Sequence, residues 1–475
     1  MSIILKENDL TFKSFEKKIF QAICSVAQKL TTDALEDLDE KIANERDKTI
    51  YRNKGKRRTT IKTIYGEVVY SRNVYATERD GKKCYVYLLD EKLQLQSKGM
   101  FSANIKEQIL ETVTDLSFRK TAKEISERTG QVISSMGVWN IVQAYGEKAC
   151  ERDKQLVAAN KDNRLDGQVE APVLFEEADG TYINLQGKDR KKYEKGKGEI
   201  KLSTTYSGWK EVSKGRYELQ DKVVTAGFWS SKEFQLNREA AIANKFNLDE
   251  TQVRILNGDG APWIKKVKDK ETIFQLDPFH KHQAIRTYIA NKNAIKDIER
   301  LLAEGDVNEV LRFIEMYADG LEDYEEKLNA RALLTYFENN RDGLIPYDKR
   351  GITIPIAPDG IIYRHMGTME NHVRGVITRR MKHNQTSWSK RGGNNMCKLL
   401  AMKASGLLSS IISDSEILLK ELTVEEEAGT VLSSFKIGNK VGKGYEYPSQ
   451  GHLTLLDNHI RGARTRAMKM AGFFM

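Results

Sequence analysis

Three acidic residues stand where carboxylates could hold metal ions. Asp179 lies within a β-rich run, Asp259 ends an apolar strand, and Glu370 opens a basic helical segment. Cleavage and rejoining of phosphodiesters use two divalent ions, which activate a water or a 3′-hydroxyl and stabilise the leaving oxygen. A hard ion such as Mg²⁺ takes oxygen ligands, so these carboxylates are the candidate metal ligands and catalytic acids of an enzyme that acts on phosphodiesters.

Each acid also has an ordinary structural interpretation. Asp179 and Asp259 are each followed by glycine, and Asp-Gly between β runs is a strong signal for a type I′ hairpin turn. Glu370 could be an acid that stabilises a helix N-terminus. Glu177 shares strand parity with Asp179, and Glu176 is adjacent, so the register of the first site is open. The combination of the three acids in this order favours the catalytic interpretation.

A histidine lies between the second and third acids, in the segment Asp277-Pro-Phe-His280. His280 could orient a water, contact the scissile phosphate, or be a partly buried structural residue. Its chemistry alone favours the structural role, so its place among the catalytic residues needs further support.

The charge distribution indicates a polyanionic partner. The chain has 77 Lys and Arg against 67 Asp and Glu, a net charge of +10, and no acid occurs between Asn371 and Ser413. A solvated helical face mixes both signs, so this run is predicted to contact phosphates. Its candidate DNA-binding residues are Arg374, Arg379, Arg380, Lys382, Lys390 and Arg391. Trp388, in the same run, could stack on an unpaired base or lie in the core.

Two N-terminal regions have patterns found in DNA-binding structures. The run from Thr59 to Tyr75 is strand-like around Gly66, which predicts a hairpin or ribbon. Lys56, Arg57 and Arg58 precede it and could contact DNA or be solvated. Predicted helices over 118–130 and 134–142 form a helix-turn-helix candidate, although such pairs also occur in proteins that never bind DNA.

The middle of the chain alternates between strands and helices. Strands are predicted over 173–186, 199–212 and 217–229, a helix over 232–246, and a strand over 252–264. This is the order in which an RNase H-like domain is built. A strand over 272–276 and a helical tract over 282–339 follow, and strands with interleaved helices imply an α/β sheet.

The composition excludes several classes of protein. Four scattered cysteines exclude a disulfide framework and zinc-finger spacing. The N-terminus lacks the pattern of a secretory signal, and the most apolar stretch, 397–413, contains lysines and is too short for a bilayer. The sequence therefore predicts a cytoplasmic protein without membrane association.

Motifs over most of the chain resemble one family of transposases. They include Thr63-Ile-Tyr-Gly-Glu67, Glu177-Ala-Asp-Gly180, Gly258-Asp-Gly-Ala261, Asp277-Pro-Phe-His280, Met369-Glu370, Arg379-Arg-Met-Lys382 and Ser387-Trp-Ser389. Together they make the chain similar to bacterial insertion-sequence transposases of the ISLre type and, more distantly, to the Mutator superfamily. The Asp277 and His280 pair fits the Mutator-type pattern of Cys or Asp, two residues, then His.

The resemblance implies an α/β fold: an RNase H-like catalytic core with an all-helical insertion, preceded by a β-ribbon and a helix-turn-helix. It implies a triad of Asp179, Asp259 and Glu370 around Mg²⁺ or Mn²⁺. It also implies cleavage of double-stranded DNA at terminal inverted repeats and strand transfer into target DNA by a homodimer or higher oligomer. An RNase H-like nuclease without strand transfer, and a non-catalytic DNA-binding protein derived from a transposase, are the alternatives.

Six segments are expected on this basis. They are an N-terminal helical region and β-ribbon (1–100), a helix-turn-helix-like region (101–168), the first part of the core (169–283), a helical insertion (284–360), the second part of the core with the basic helix (361–415), and a basic C-terminal region (416–475).

Overall fold

The computed structural model describes residues 11–93, 95, 100–265 and 272–413. The predicted basic C-terminal region at 416–475 lies outside these residues. Within the described part, no helix combines the length and the apolar character that crossing a membrane requires.

Among the described residues, 11–34 belong to one compact unit and 35–413 to another. In the first unit, the described residues are the beginning of helix α1 (Phe12–Glu45), where the rings of Phe12 and Phe15 are in contact. All the elements that follow α1 in the described chain belong to the second unit.

A three-stranded antiparallel sheet follows α1. Its strands are β1 (Arg52–Thr63), β2 (Gly66–Arg79) and β3 (Lys82–Val86), in the order β1-β2-β3. Thr63 pairs with Gly66 across the first turn, where Gly66 has a φ of +117° that favours glycine. The hairpin predicted around Gly66 is confirmed.

Four helices come next: α2 (Leu88–Lys92), α3 (Ala103–Asp115), α4 (Phe118–Thr129) and α5 (Ser135–Lys161). Helix α4 ends at Gly130, which adopts a left-handed conformation. The Ser134 side chain accepts a hydrogen bond from the Gly137 N–H and so begins α5. The two helices predicted on either side of Gly130 are present.

The central sheet is built from the middle of the chain. Its region contains β4 (Val169–Glu170), β5 (Val173–Asn184), α6 (Gly187–Lys192), β6 (Lys197–Tyr206), β7 (Gly208–Ser213), β8 (Arg216–Gln220), β9 (Val223–Gly227), α7 (Ser231–Lys245), β10 (Phe246–Asn247), β11 (Val253–Gly258), α8 (Pro262–Lys265) and β12 (Thr272–Leu276). The five-stranded sheet has the order β12-β11-β5-β6-β9. Strands β5, β11 and β12 are parallel, and β6 is antiparallel to β5 and β9.

The two long strands predicted over 199–212 and 217–229 are each divided. Strand β6 ends at Tyr206 and β7 begins at Gly208, which has a φ of +144°, and β7 pairs with β8 as a separate hairpin. Of the four strands β6 to β9, only β6 and β9 therefore belong to the central sheet.

The helical tract contains α9 (Pro278–Tyr288), α10 (Lys292–Glu304), α11 (Val307–Asp319) and α12 (Tyr324–Asn339). Short 3₁₀ turns follow as far as Lys349, but residues 350–360 of the predicted helical insertion form no helix. Pro355 and Pro358, which lack a backbone N–H, disfavour helix there.

The last described segment is again helical. It contains α13 (Met369–His372), a π-helix (Val373–Thr378), α14 (Arg379–Met381), α15 (Lys390–Ala404) and α16 (Ser410–Ser413).

Helices cover both faces of the sheet. One face shares a core with α3–α5 and α13–α16 through residues such as Ile183 and Met381. The other face packs on α9–α12 through residues such as Ala178 and Phe337. Successive strand residues point to opposite faces, so Asp179 points to the same face as Ile183, the face covered by the helical segment that carries Glu370.

Candidate active site

Asp179 and Asp259 lie at the same level of two neighbouring parallel strands. The pairing of β5 with β11 ends where Ala178 stands opposite Gly258, and each aspartate is the next residue along its chain. Neighbouring parallel strands bring equivalent positions side by side. Two acids 80 residues apart in sequence therefore meet at one end of the sheet.

Neither Asp-Gly pair is a hairpin turn. Strand β5 continues beyond Asp179, which pairs with Leu202 of β6. Gly260 has a φ of +85°, but it leads from β11 into α8, and both neighbours of β11 are parallel to it. A glycine is required at 260 also because a Cβ there would lie 2.2 Å from the side-chain oxygen of Asn340. The turn interpretation is wrong for both sites.

The carboxylate of Asp259 is half-buried and held against the backbone. Its Oδ1 accepts a hydrogen bond from the Ala261 N–H at 2.8 Å, and its backbone carbonyl accepts one from the Tyr336 hydroxyl at 2.8 Å. Burial and the nearby charge of Asp179 raise the pKa of Asp259, while the bond from Ala261 and the charge of His280 oppose them. Two close carboxylates repel each other, and a cation between them removes that cost.

His280 lies beside the two aspartates. It is on the first turn of α9, where Asp277 caps the helix by accepting the His280 N–H at 3.2 Å. Its Nε2 is 3.8 Å from Oδ2 of Asp179. Hydrogen bonding to Asp179 raises the pKa of His280, although burial lowers it. The structure thus places His280 among the acids, a position that the sequence pattern alone does not establish.

Asp259 and His280 line a cleft of about 280 Å³. It is lined by Asp259, His280, Gln283, Ala284, Thr287, Tyr288 and Tyr336. A larger cleft, of about 740 Å³, is lined by α5 together with Arg164 and Ile411 and contains none of the predicted catalytic acids. The chemistry of the lining, rather than the size of the cavity, identifies the smaller cleft as the candidate site.

Glu370 is exposed on the first turn of α13, on the side of the sheet to which Asp179 points. The charges of both Glu370 and Asp179 act on Lys382. Burial lowers the pKa of Lys382, and these two charges raise it. Among the residues that the structure describes, no three Asp, Glu, His or Cys side chains are grouped closely enough to hold one metal ion. Among the described residues, Glu370 therefore forms no metal-sized group with the two aspartates.

The buried Glu177 side chain is hydrogen-bonded to several elements of the site. The completely buried Glu177 accepts hydrogen bonds from the Tyr206 hydroxyl at 2.7 Å, the Asn257 amide at 3.2 Å and the Thr368 N–H at 2.9 Å. The Asn257 amide also donates to Asp277 at 2.7 Å. Strands β5 and β11, the start of α9 and the segment before Glu370 therefore share one polar network.

The network answers the register question left by the sequence. Every oxygen of Glu177 is occupied by these donors, and Glu176 accepts from Nε of Arg238 at 2.8 Å and of Arg254 at 2.6 Å. Although burial raises the pKa of Glu176, the two arginines lower it to about 2. Asp179 is the acid of this run with an oxygen still available to a ligand. The positioning role of Glu177 was missed, although its strand parity with Asp179 was a signal.

The donors at this end of the sheet fit a hard divalent ion. Asp179 and Asp259 offer carboxylate oxygens of like charge in a partly dehydrated setting, which is the ligand type that Mg²⁺ and Mn²⁺ take. Neither ion needs a sulfur ligand, and the His280 imidazole lies 3.8 Å from the Asp179 carboxylate.

Several predicted phosphate contacts are exposed beside Glu370. Arg374, Arg379 and Lys382 are exposed and belong to the helical segment that also carries the exposed Glu370. These three cations could contact a phosphate held near the acids.

Arg380 and Trp388 are corrections to the predicted DNA-binding set. Only 8% of Arg380 is exposed; its Nε donates to the Val113 carbonyl at 2.7 Å, and its guanidinium lies over the rings of Phe118 and Trp388. Trp388 is 7% exposed and donates through Nε1 to the Met381 carbonyl at 3.0 Å. Both side chains form part of the core and are not available to DNA in this conformation.

The remaining predicted cations are exposed. Arg391 donates through Nε to Glu147 at 2.9 Å, and the Lys390 ammonium lies 5.5 Å from the centre of the Tyr193 ring. Lys56, Arg57 and Arg58 lie on β1, an edge strand of its sheet. At the helix pair, Met136 and Trp139 of α5 are exposed by 62% and 42%, as a surface for contact with a partner requires.

Comparison with known sequences identifies a family. Residues 5–413 match UPF0236, an uncharacterised protein family. A UPF0236 protein of Caldanaerobacter subterraneus subsp. tengcongensis, whose name joins four locus designations, is 24% identical over 383 residues, which cover 78% of this chain and 73% of that protein. Another from the same strain, whose name joins eleven, is 23% identical over 412 residues, which cover 85% and 80%.

Comparison with solved structures gives a weak similarity. The Drosophila P element transposase strand transfer complex matches with a TM-score of 0.25 and 10% identity, over 72% of this chain and 88% of that one. A TM-score this low does not establish a shared fold.

Proposed function

The chain belongs to the uncharacterised protein family UPF0236, and we propose that it is a DNA transposase with an RNase H-like core and a catalytic site of Asp179, Asp259 and Glu370. One observation carries the proposal: Asp179 and Asp259 occupy adjacent positions on neighbouring parallel strands, with His280 at 3.8 Å. Acids so arranged beside a basic surface suit the cleavage and transfer of phosphodiesters.

The order of the sheet supports the RNase H-like assignment. Three strands that are neighbours in the sheet, β5, β6 and β9, form one antiparallel half, and β11 and β12 extend the sheet in parallel on the other side of β5. The helix α7 connects the two halves. This is the strand and helix order expected of an RNase H-like core.

The relatives support a mobile function. The names of two relatives join four and eleven locus designations of a single strain. Repeated copies in one genome are what transposition of an element produces. For this chain, the same inference predicts double-stranded DNA as its partner, in the form of element ends and target, and a homodimer or higher oligomer that holds two ends.

The residues have separable roles in this proposal. Asp179, Asp259 and Glu370 would hold Mg²⁺ or Mn²⁺, which supplies an activated water or 3′-hydroxyl and stabilises the leaving oxygen. His280, whose Nε2 lies 3.8 Å from Oδ2 of Asp179, would orient that carboxylate. Arg374, Arg379 and Lys382 neutralise the phosphates next to the scissile bond.

The test is cleavage of duplex DNA that carries the ends of the chain's own element, in Mg²⁺ or Mn²⁺ and in EDTA. Wild type should nick this DNA only with metal, Asp259→Ala should bind without nicking, and Asp249→Ala, an exposed acid before β11, should behave as wild type. Nicking without joining to a target would indicate a nuclease instead.

A second candidate is a non-catalytic DNA-binding protein derived from a transposase. The exposed position of Glu370, outside any metal-sized group among the described residues, favours it. Binding of the element ends that persists in EDTA, with no cleavage by wild type in either metal, would select this candidate.

A further inference from the structure

The loop that joins β5 to β6 is strongly basic. We name residues 187–197 the basic loop; its cations are Lys188, Arg190, Lys191, Lys192, Lys195 and Lys197, and all six are exposed. Within the described chain none of them forms an ion pair with a carboxylate. Clustered cations without partners repel one another, and a polyanion removes that cost.

The basic loop is fixed to the rest of the molecule at its base. The Gln186 N–H donates to the Trp388 carbonyl at 2.9 Å, and the Trp388 N–H donates to the Asn184 carbonyl at 3.0 Å. Asp189, an acid within the loop, accepts the Lys390 N–H at the start of α15 at 2.8 Å. This acid therefore faces a helix N-terminus and does not neutralise the loop's lysines.

Lys195 is held in an uncommon backbone conformation. Its φ is +56°, in the left-handed region where glycine or asparagine is usual, and Gly196 follows with +63°. A lysine at such a position costs stability that a glycine would not, and residues of this kind concentrate at functional sites.

The basic loop is next to the predicted catalytic acids. Lys197 begins β6 and pairs with Asn184 of β5, the strand that carries Asp179. Burial, and then the charge of Lys197, lower the pKa of Lys382, while the charges of Glu370 and Asp179 raise it. On the other side, Lys390 lies over Tyr193 of the loop. The six loop cations thus add to the exposed cations Arg374, Arg379 and Lys382.

We propose that the basic loop, together with Lys382 and Lys390, is a binding surface for the phosphate backbone of duplex DNA that enters or leaves the active site. This assignment rests on the proposed function, since it places the DNA beside the catalytic acids. Five of the six cations are lysines, which act as point charges rather than as bidentate readers of bases. The surface therefore binds DNA independently of sequence, and element ends and target DNA share the required chemistry.

The test compares two double variants with equal loss of charge. Lys191→Gln/Lys192→Gln removes cations of the basic loop, and Lys292→Gln/Lys296→Gln removes exposed cations of α10. The control lies in a region, 292–339, that has twelve Asp and Glu against six Lys and Arg and is unsuited to DNA. Both variants should keep the wild-type melting temperature, because all four side chains are exposed.

Affinity is measured over a series of KCl concentrations on two duplexes, one with the element ends and one of unrelated sequence. The loop variant should bind both duplexes more weakly, with the salt slope reduced by about 1.8, or 0.9 for each lost phosphate contact. The control should keep the wild-type slope. A loss confined to the element-end duplex would overturn sequence independence, and an unchanged slope on both would overturn the surface itself.

These results separate the inference from the proposed function. Wild type that binds both duplexes but gives the same slope as the loop variant refutes the surface only. A reduced slope in a protein that never cleaves DNA supports the surface and refutes the transposase. Wild type that binds neither duplex refutes both.

Discussion

Thr368 donates its backbone N–H to Oε2 of Glu177 at 2.9 Å and its hydroxyl to Oε1 of the same carboxylate. Glu177 lies two residues before Asp179, and Thr368 lies two residues before Glu370. One buried carboxylate therefore sets the position of the helical segment that carries the third acid against the strand that carries the first. The strand and the segment are 191 residues apart in sequence.

Thr368→Val should reduce both stability and metal use. It removes one hydrogen bond to a buried carboxylate, at a cost of about 1.5–3 kcal/mol in unfolding free energy. With Glu370 less well placed, cleavage should need a higher Mg²⁺ concentration. Thr251→Val is the matched control, since Thr251 donates its hydroxyl to the Ala171 carbonyl at the opposite end of β11. Equal metal requirements in the two variants would show that Thr368 is only a structural residue.

Asp259→Asn should make the metal-free protein more stable at neutral pH. Burial and the charge of Asp179 raise the pKa of Asp259 in the folded protein. Asp259 therefore stabilises the folded state fully below the unfolded pKa of about 3.9, and this stabilisation is lost as pH rises through the higher folded pKa. Removing the charge should therefore raise the unfolding free energy by about 1 kcal/mol at pH 7 and change it little below pH 4. Denaturant titrations at the two pH values measure this difference.

With Mg²⁺ present, the wild type should become more stable than Asp259→Asn. A ligand that binds only the folded state adds about 2.7 kcal/mol at a hundred times its dissociation constant. Wild type should gain stability on addition of Mg²⁺, and Asp259→Asn should gain much less. A variant that is less stable than wild type without metal, or equally stabilised by Mg²⁺, would contradict the repulsion between the two aspartates.

Arg379 and Arg380 are adjacent in sequence but should respond in opposite ways to substitution by glutamine. Arg379 is exposed, so Arg379→Gln should keep the melting temperature and reduce the salt slope of DNA binding by about 0.9. Arg380 is buried, donates to the Val113 carbonyl and lies over Phe118 and Trp388, so Arg380→Gln should lower the unfolding free energy by about 1–3 kcal/mol. Thermal denaturation and DNA titration of both variants test these roles. An Arg380→Gln variant that stays stable but binds DNA weakly would show that Arg380 contacts DNA and is not a core residue.

His372 should contribute to the loss of stability in acid. Burial, and then the charge of Lys222, lower the pKa of His372 to about 4 from an unfolded value of about 6.5. Its contribution is present above pH 6.5 and is lost as pH falls through 4. Since the side chain is partly exposed, the expected loss is about 1–2 kcal/mol. His372→Gln should flatten the stability profile between these values, whereas the exposed His383→Gln should follow wild type.

Lys195→Gly should raise stability and weaken DNA binding together. Glycine adopts the φ of +56° without steric cost, which should add about 0.5–1 kcal/mol to the unfolding free energy. The same change removes one cation of the basic loop. If the variant is less stable than wild type, the left-handed backbone of Lys195 is not strained.

The sequence predicts the elements of the sheet better than it predicts which side chains are free. Asp179 and Asp259 could be selected because residue type and strand ends are visible in the pattern. The different environments of Arg379 and Arg380 could not be predicted, since a π-helix at 373–378 shifts the faces of the helix that follows. Trp388 was ambiguous because a tryptophan in a basic run suits both a core and a base-stacking site.

The role of Glu177 depends on contacts with Tyr206, Asn257 and Thr368, which lie far from it in the chain. Local periodicity carries no information about such distant partners. It could assign Glu177 to the same strand face as Asp179 but not decide which of the two carboxylates stays available.

The core shared by α3–α5 and residues 369–412 has a consequence for interrupted copies of the gene. Contacts between chain segments so distant in sequence form late, after almost the whole polypeptide has left the ribosome. A copy with a stop codon before α13 would encode helices α3–α5 without their covering layer, and its product is expected to aggregate or be degraded. Broken copies of such a gene should therefore not supply a folded competitor that blocks the intact protein in the same cell.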